Sequence, residues 1–374
     1  MAGIYIHIPF CRKACHYCNF HFSTSLKYKN EFLASLLNEI KLRRAYLQGQ
    51  DIQTIYLGGG TPGLLTMEEL KPIFAAIHNN FNTTNVQEVT IEMNPDDVTP
   101  SKLKNYFKGG INRISLGVQS FYDEDLLYMN RSHDSEKAME ALHTIKNSDF
   151  ENYTMDLIYG YPLLDMEKWS NNLKQAIAFD VPHISCYAMT VEPKTVLDHQ
   201  IKIGKNAAMD NEQAALQFEQ MVAFLSKEGY EHYEISSFGK KSFRAQHNSN
   251  YWKGIPYLGL GPSAHSYDGE NRHWNVAHNI QYNEAIEKGV PSIEDEKLST
   301  NDRLNEFIML SLRTSEGMEI DELRERAATH FDVIMKEIKE YRDEEMMVKN
   351  DGRIYLTNEG KLFADKISAS LFVE

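Results

Sequence analysis

Over residues 4 to about 190, short apolar and β-branched runs alternate with longer amphipathic ones. The runs at 4–8, 54–57, 89–93, 113–118, 153–159 and 183–187 are short, apolar and rich in β-branched residues, the pattern of buried strands. Between the first two, Phe32, Leu33, Leu36, Leu37 and Ile40 recur at the helical period with charged positions opposite, which predicts a helix. Similar helical patterns follow at about 67–79, 100–108, 134–147 and 166–178. Strand then helix, repeated six times, predicts parallel strands joined by right-handed crossovers. A doubly wound sheet and a full or partial β/α barrel both satisfy this pattern.

Polar residues gather where each predicted strand stops. Tyr5 and His7 precede a cysteine loop, Gly58-Gly59-Gly60-Thr61-Pro62 follows the second strand, and Glu92 and Asn94 close the third. Gln119 ends the fourth strand and Asp156 lies within the fifth. In β/α barrels the C-terminal strand ends build the active site, so these residues predict one shared mouth. The chain divides into residues 1–190, an irregular middle region over 191–298 with a helix at 210–227, and a C-terminal unit over 299–374. In the last unit, helices near 301–313, 319–329 and 333–346 precede a hairpin marked by Asn350-Asp351-Gly352. Helices followed by a hairpin predict a small winged-helix-like domain.

Composition narrows the class. Hydrophobic residues make up 42% and charged residues 25%, which excludes disorder and fibrous architecture. There are 39 Lys and Arg against 53 Asp and Glu, a net charge of −14, which argues against nucleic-acid binding. The C-terminal unit has a net charge of −6 over 301–374, so its wing is not expected to read DNA. No run reaches the length of a membrane span, and the N-terminus lacks the pattern of a secretory signal. These features predict a cytoplasmic protein that meets a membrane only peripherally, through a partner.

Four cysteines in 374 residues cannot form a disulfide framework. Three of them, Cys11, Cys15 and Cys18, fall on one tight loop, and Cys186 lies alone in an apolar strand as a core thiol. Three local thiolates suit three iron corners of a cubane iron–sulfur cluster and leave the fourth iron open. The spacing also leaves room for zinc completed by His7 or His16, although structural zinc usually takes four protein ligands arranged as paired knuckles.

The CxxxCxxC loop, with Tyr17 before its last cysteine, resembles the radical S-adenosylmethionine (SAM) superfamily. YIHIPFC at 5–11, GGGTP at 58–62, EMNP at 92–95, RISLGVQSF at 113–121, Arg131-Ser132-His133, DLIYGYP at 156–162 and YAMTVEPKT at 187–195 resemble its coproporphyrinogen dehydrogenase-like branch in order. The resemblance implies a partial (β/α)6 TIM-type barrel, a [4Fe–4S] cluster on Cys11, Cys15 and Cys18, and SAM on the open iron. It further implies that Tyr5, Tyr17, Gly58, Gly59, Gly60, Thr61, Glu92, Gln119, Arg131 and Asp156 surround SAM, with the Arg131 fork on its carboxylate. No catalytic residue is assigned.

Two features separate the chain from the dehydrogenase itself. That enzyme has a further cysteine two positions after the third, where this chain has Phe20, and a long extension before the cysteine loop. In addition, His247-Asn248-Ser249-Asn250-Tyr251-Trp252 resembles the HNxxYW motif of the HemW heme-chaperone family. That resemblance implies heme held by His247, Tyr251 and Trp252, with imidazole or phenolate as axial ligand. It implies transfer of heme to an acceptor protein, such as a membrane respiratory enzyme. The competing expectation is oxygen-independent coproporphyrinogen III oxidation in porphyrin biosynthesis. Residues 259–264 are expected to form a turn along the same cavity, faced by Arg272, Trp274 and Asn275.

Overall fold

A computed structural model describes residues 1–374. In chain order, β1 (Ala2–Ile8), α1 (Lys29–Leu42), β2 (Ile52–Gly59), α2 (Met67–Asn80), β3 (Glu88–Met93) and α3 (Pro100–Lys108) begin the fold. They continue as β4 (Arg113–Gln119), α4 (Asp123–Tyr128), α5 (Ser135–Lys146), β5 (Asn152–Tyr159), α6 (Met166–Ala178) and β6 (His183–Ala188). All six predicted strands form, each within two residues of its expected bounds. They pair in parallel in the order β1 to β6, every strand beside its successor. The resulting curved sheet is the partial barrel expected from the sequence, not a closed one.

Residues after 190 complete the same sheet. The chain runs through α7 (Val196–Lys202), α8 (Asn211–Lys227), β7 (Glu231–Glu234), β8 (Ser237–Gly239) and α9 (Gln246–Trp252). It returns through β9 (Tyr257–Leu260), β10 (His265–Tyr267), β11 (Asn271–Asn275), α10 (Asn279–Glu287) and β12 (Ile293–Lys297). β8 and β7 extend the sheet beyond β6, and β9 to β12 extend it beyond β1, giving twelve strands in all. One buried apolar cluster of 60 residues runs from Ala2 to Ile286 and unites the barrel with these additions. The middle region is therefore continuous with the barrel. Its strands are too short to announce themselves by alternation.

The remaining elements are α11 (Thr300–Leu312), β13 (Met318–Glu319), α12 (Ile320–Ala327), α13 (Phe331–Asp343), β14 (Met347–Asn350), β15 (Arg353–Leu356), α14 (Asn358–Leu362) and α15 (Ala364–Ser370). Five helices and a three-stranded sheet enclose a second core of 16 residues between Leu304 and Leu371, a winged-helix-like unit. Ser299 and Asp302 form a reciprocal cap that starts this unit sharply. No helix of the chain is long and apolar enough to cross a membrane.

Candidate functional site

A cavity of about 630 Å³ opens at the C-terminal ends of the barrel strands. Its lining includes Cys11, Cys15, Tyr17, Cys18 and Phe20 from the loop after β1, and Gly59, Gly60 and Thr61 from the turn after β2. Glu92, Asn94, Gln119, Arg131 and Asp156 also line it, so residues distant in sequence meet as the strand-end pattern predicted. The register explains the meeting: Gly117 of β4 pairs with Asp156 of β5, and Asp156 pairs with Ser185 of β6, so in-register side chains share one face. A bulge at the end of β4 places Gln119 in the left-handed region at φ 71° and leaves its buried Oε1 without a protein partner.

The cysteine loop is held from several directions. Cys11 N donates to Ser23 O at 3.0 Å, His16 N to Met129 O at 3.1 Å, and Asn130 Nδ2 to Ala14 O at 2.6 Å. Thr61 Oγ1 donates to Cys11 Sγ at 3.6 Å, and Arg131 Nη1 donates to Cys15 Sγ at 3.4 Å. Burial raises the Cys11 thiol to about 11 and also raises Cys18, so without a metal these thiols stay protonated and metal binding must displace protons. No three His, Cys, Asp or Glu side chains are grouped to hold a single ion. Three soft sulfurs around an open cavity, two of them receiving hydrogen bonds, suit a multi-iron cluster better than one zinc.

Arg131 departs from its expected use. Its Nη2 donates to Asn94 Oδ1 at 2.7 Å and to Gly117 O at 2.8 Å, while Nη1 serves Cys15 and, at 3.5 Å, the Tyr17 hydroxyl. The fork that was assigned to a ligand carboxylate thus ties the cysteine loop to β3 and β4. Only the buried Nε lacks a partner. Asn94 is a clamp residue by the same geometry.

Two carboxylates sit in the cavity wall. Glu92 accepts from the Tyr56 hydroxyl at 2.8 Å and from Gly59 N at 3.1 Å, and burial raises its pKa to about 7. Asp156 accepts from Ser115 Oγ at 3.1 Å, and burial raises it to about 6. Carboxylates titrating this close to neutrality are poised to receive a cationic ligand, whose charge would restore their ionised form. Tyr5 and Gly58 lie one layer behind this wall. A Cβ on Gly58 would meet Tyr56, Glu92 and Tyr5 within 3.0 Å, so any side chain here would push the Glu92 carboxylate and its neighbours aside. Sequence reasoning missed Tyr56, Ser115 and Ser185, which share strand faces with the predicted residues and were legible in that parity alone.

The HNxxYW segment takes a form the sequence did not predict. It is the short helix α9, set against β2 and β3, with Glu88 accepting from Gln246 N and His247 N at 2.9 Å each. His247 is buried, and both ring nitrogens are engaged, Nδ1 with Thr54 Oγ1 at 2.8 Å and Nε2 with the Tyr251 hydroxyl at 2.9 Å. Its ring stacks on Tyr56 at 5.1 Å, and burial lowers its pKa to about 3. Trp252 instead faces a separate cleft of about 110 Å³ against the C-terminal unit, with the Arg313 guanidinium 5.1 Å from its ring. Of the three residues expected at heme, His247 and Tyr251 thus meet each other while Trp252 faces a different space. From this segment Asn248 reaches the main cavity.

Comparison with known proteins agrees with this architecture. The family model for the radical SAM superfamily matches residues 5–176, and that for the HemN C-terminal domain matches residues 298–363. The heme chaperone HemW of Bacillus subtilis (strain 168) is 31% identical over 378 residues, covering 100% of both chains. The chain belongs to the HemW family. Its HemW relative from Synechocystis is 35% identical over 84% of this chain and 78% of its own, and that from Escherichia coli (strain K12) is 34% identical over 70% and 69%. Among solved structures, the coproporphyrinogen III oxidase HemN of Escherichia coli, described as a radical SAM enzyme, superposes with a TM-score of 0.86. The match covers 100% of this chain and 90% of HemN at 22% identity, so the two share a fold.

Proposed function

We propose that the chain is a cytoplasmic heme chaperone that carries a [4Fe–4S] cluster and SAM and hands heme to an acceptor protein. The observation that carries this is the cysteine loop: three cavity-lining thiols, two of them receiving hydrogen bonds from Thr61 and Arg131, in a chain whose relatives are HemW proteins. Cys11, Cys15 and Cys18 would hold the cluster, which supplies redox-active iron with one open coordination position. Glu92 and Asp156 would draw the cationic end of SAM, Gly59, Gly60 and Thr61 would border it, and the unpartnered Gln119 Oε1 would accept from its hydroxyls. Tyr17 closes the cysteine side, while Tyr5 and Gly58 back Glu92 from behind the wall. Residues 1–190 thus form the cofactor barrel, 191–298 complete it and bear the heme surface, and 299–374 cover the seam beside α9.

Anaerobic reconstitution with iron and sulfide tests the proposal. The expected product holds four irons per chain, binds SAM, and gives a saturable Soret band with ferric heme. Replacing all three cysteines by alanine should abolish iron and sulfide uptake. Conversion of coproporphyrinogen III to a vinyl product by the reduced, SAM-loaded protein would overturn the chaperone reading in favour of the oxidase.

A further inference from the structure

Asn94 stands just past the C-terminal end of β3, and Pro95 after it favours the extended backbone it adopts, φ −91° and ψ 155°. From there its amide reaches two neighbours. Its Oδ1 accepts from Arg131 Nη2 at 2.7 Å, and its Nδ2 donates to Thr61 Oγ1 at 3.2 Å. A guanidinium can only donate, so the amide oxygen must face Arg131 and the amide nitrogen must face Thr61. Chemistry therefore fixes the sense of both bonds.

That sense fixes the next bonds as well. The Thr61 hydroxyl has a single proton, and because Asn94 Nδ2 can only donate to it, this proton is free for Cys11 Sγ at 3.6 Å. Thr61 is buried, so little water competes for its hydroxyl. Arg131 is held at Nη2 by Asn94 and by Gly117 O at 2.8 Å, which turns Nη1 onto Cys15 Sγ at 3.4 Å. Hydrogen bonds thus run without a break from Cys11 through Thr61, Asn94 and Arg131 to Cys15. One amide directs the donors on two of the three loop sulfurs.

The same chain of bonds carries a charge. Every acceptor of the Arg131 guanidinium is a neutral oxygen or a cysteine sulfur, so no carboxylate hydrogen-bonded to it screens its charge from the loop. Reduction of an iron–sulfur cluster adds negative charge that spreads onto its sulfurs. A hydrogen bond or a cation at a ligating sulfur therefore favours the reduced form and raises the potential.

We propose that Asn94 is a positioning residue that raises the reduction potential of the cluster, by aiming the Thr61 hydroxyl at Cys11 and the Arg131 guanidinium at Cys15. This rests on the cluster proposed at Cys11, Cys15 and Cys18 and names what tunes it. Asn94 acts through its two neighbours and makes no bond to a sulfur itself. An apolar side chain at this position would let the Thr61 proton turn away and free the Arg131 fork to swing. A carboxylate would do more with almost the same shape: it would accept the Thr61 proton and pair with Arg131.

Potentiometric titration of the reconstituted full chain without SAM, followed by the electron paramagnetic resonance signal of the reduced cluster, tests the proposal. Asn94→Leu should shift the reduction equilibrium about tenfold or more toward the oxidised cluster, a fall of about 59 mV for one electron. Thr61→Val should give a smaller fall. The double variant should fall by less than the two single shifts added, because part of the Asn94 effect passes through Thr61. Asn94→Asp should fall further than Asn94→Leu, whereas a residue that merely packs the loop would tolerate its near-isostere better. An unchanged potential in Asn94→Leu, strictly additive shifts in the double variant, or a milder effect of Asn94→Asp overturns the proposal while leaving the cluster reading intact. If Asn94→Leu takes up no iron, an unchanged potential in Thr61→Val overturns it equally. A wild-type chain that takes up no iron and sulfide overturns both.

Discussion

Gly60 shows how closely the cysteine loop is built onto β2. Its N–H donates to Ile8 O at 2.9 Å, and a Cβ there would lie 2.6 Å from Phe10 O, 2.7 Å from Ile8 O and 2.8 Å from Phe10 N. These are backbone atoms at the root of the loop that carries Cys11, so no side-chain rotation relieves the overlap. Gly60→Ala should therefore displace the loop and cut iron uptake severalfold while far-ultraviolet circular dichroism stays unchanged; normal iron content in that variant would show that the loop yields freely. Much of this site was legible residue by residue, because alternation along each strand puts Gly59, Glu92, Gln119 and Asp156 at one mouth. What alternation cannot report is how a long side chain divides its bonds. The Arg131 fork is spent on Cys15, Asn94 and Gly117, and His247 finds Thr54 193 residues away. Glu39 of α1 likewise claims Gly261 N and Asn275 Nδ2, which sets the turn at 261–264 against α1 where the sequence suggested a cavity lining.

At the scale of elements, α9 has few internal resources. It has only seven residues, no side-chain cap of its own and a single fully buried residue, His247, so isolated it would not form. Its first turn is completed by Glu88 of β3, whose two oxygens accept from Gln246 N and His247 N. The same carboxylate lies 3.9 Å from the Arg113 guanidinium, and both side chains are 2% exposed. Glu88→Ala should thus destabilise the chain by about 3 kcal/mol or more, because it leaves the buried Arg113 without its counter-charge and two helix N–H groups without their acceptor. Urea unfolding measures this, and a loss under 1 kcal/mol would mean that α9 is held by something other than Glu88. The dependence on a partner outside the helix also explains why α9 was not predicted: QHNSNYW lacks an apolar repeat of period 3.6. The strands β7 to β12 escaped for a related reason, since at three to five residues each they gain their identity from the edges they extend.

The whole molecule stores an unusual set of protonation states. Burial holds His7, His133 and His232 near pKa 4 and His247 near 3, and lowers His183 well below its ordinary value. A histidine depressed in the folded state binds its proton only on unfolding, so it costs stability as pH falls below about 6.5. Glu92 and Asp156 act with the opposite sign. Raised to about 7 and 6, they keep protons in the folded state that the unfolded chain releases, so they favour folding as pH falls toward the ordinary carboxylate range. Each depressed histidine leaves about one more proton on the unfolded chain near pH 5, a slope of about 1.4 kcal/mol per pH unit, and the raised carboxylates, Glu39, Glu234 and Glu306 among them, subtract from that sum. The histidines depressed by two units or more outweigh the carboxylates, so the chain should lose stability as pH falls from 6.5 toward 5. Urea midpoints at pH 7.5, 6.0 and 5.0 measure the slope directly. The variant His232→Phe isolates one contributor, since this ring lies away from the cavity and stacks on Phe238 at 4.3 Å. It should flatten the slope by one proton, about 1.4 kcal/mol per pH unit. Equal stability at pH 5.0 and 7.5 would mean that the buried imidazoles take up protons without unfolding, and the aromatic and hydroxyl partners that now enclose them would have to give way.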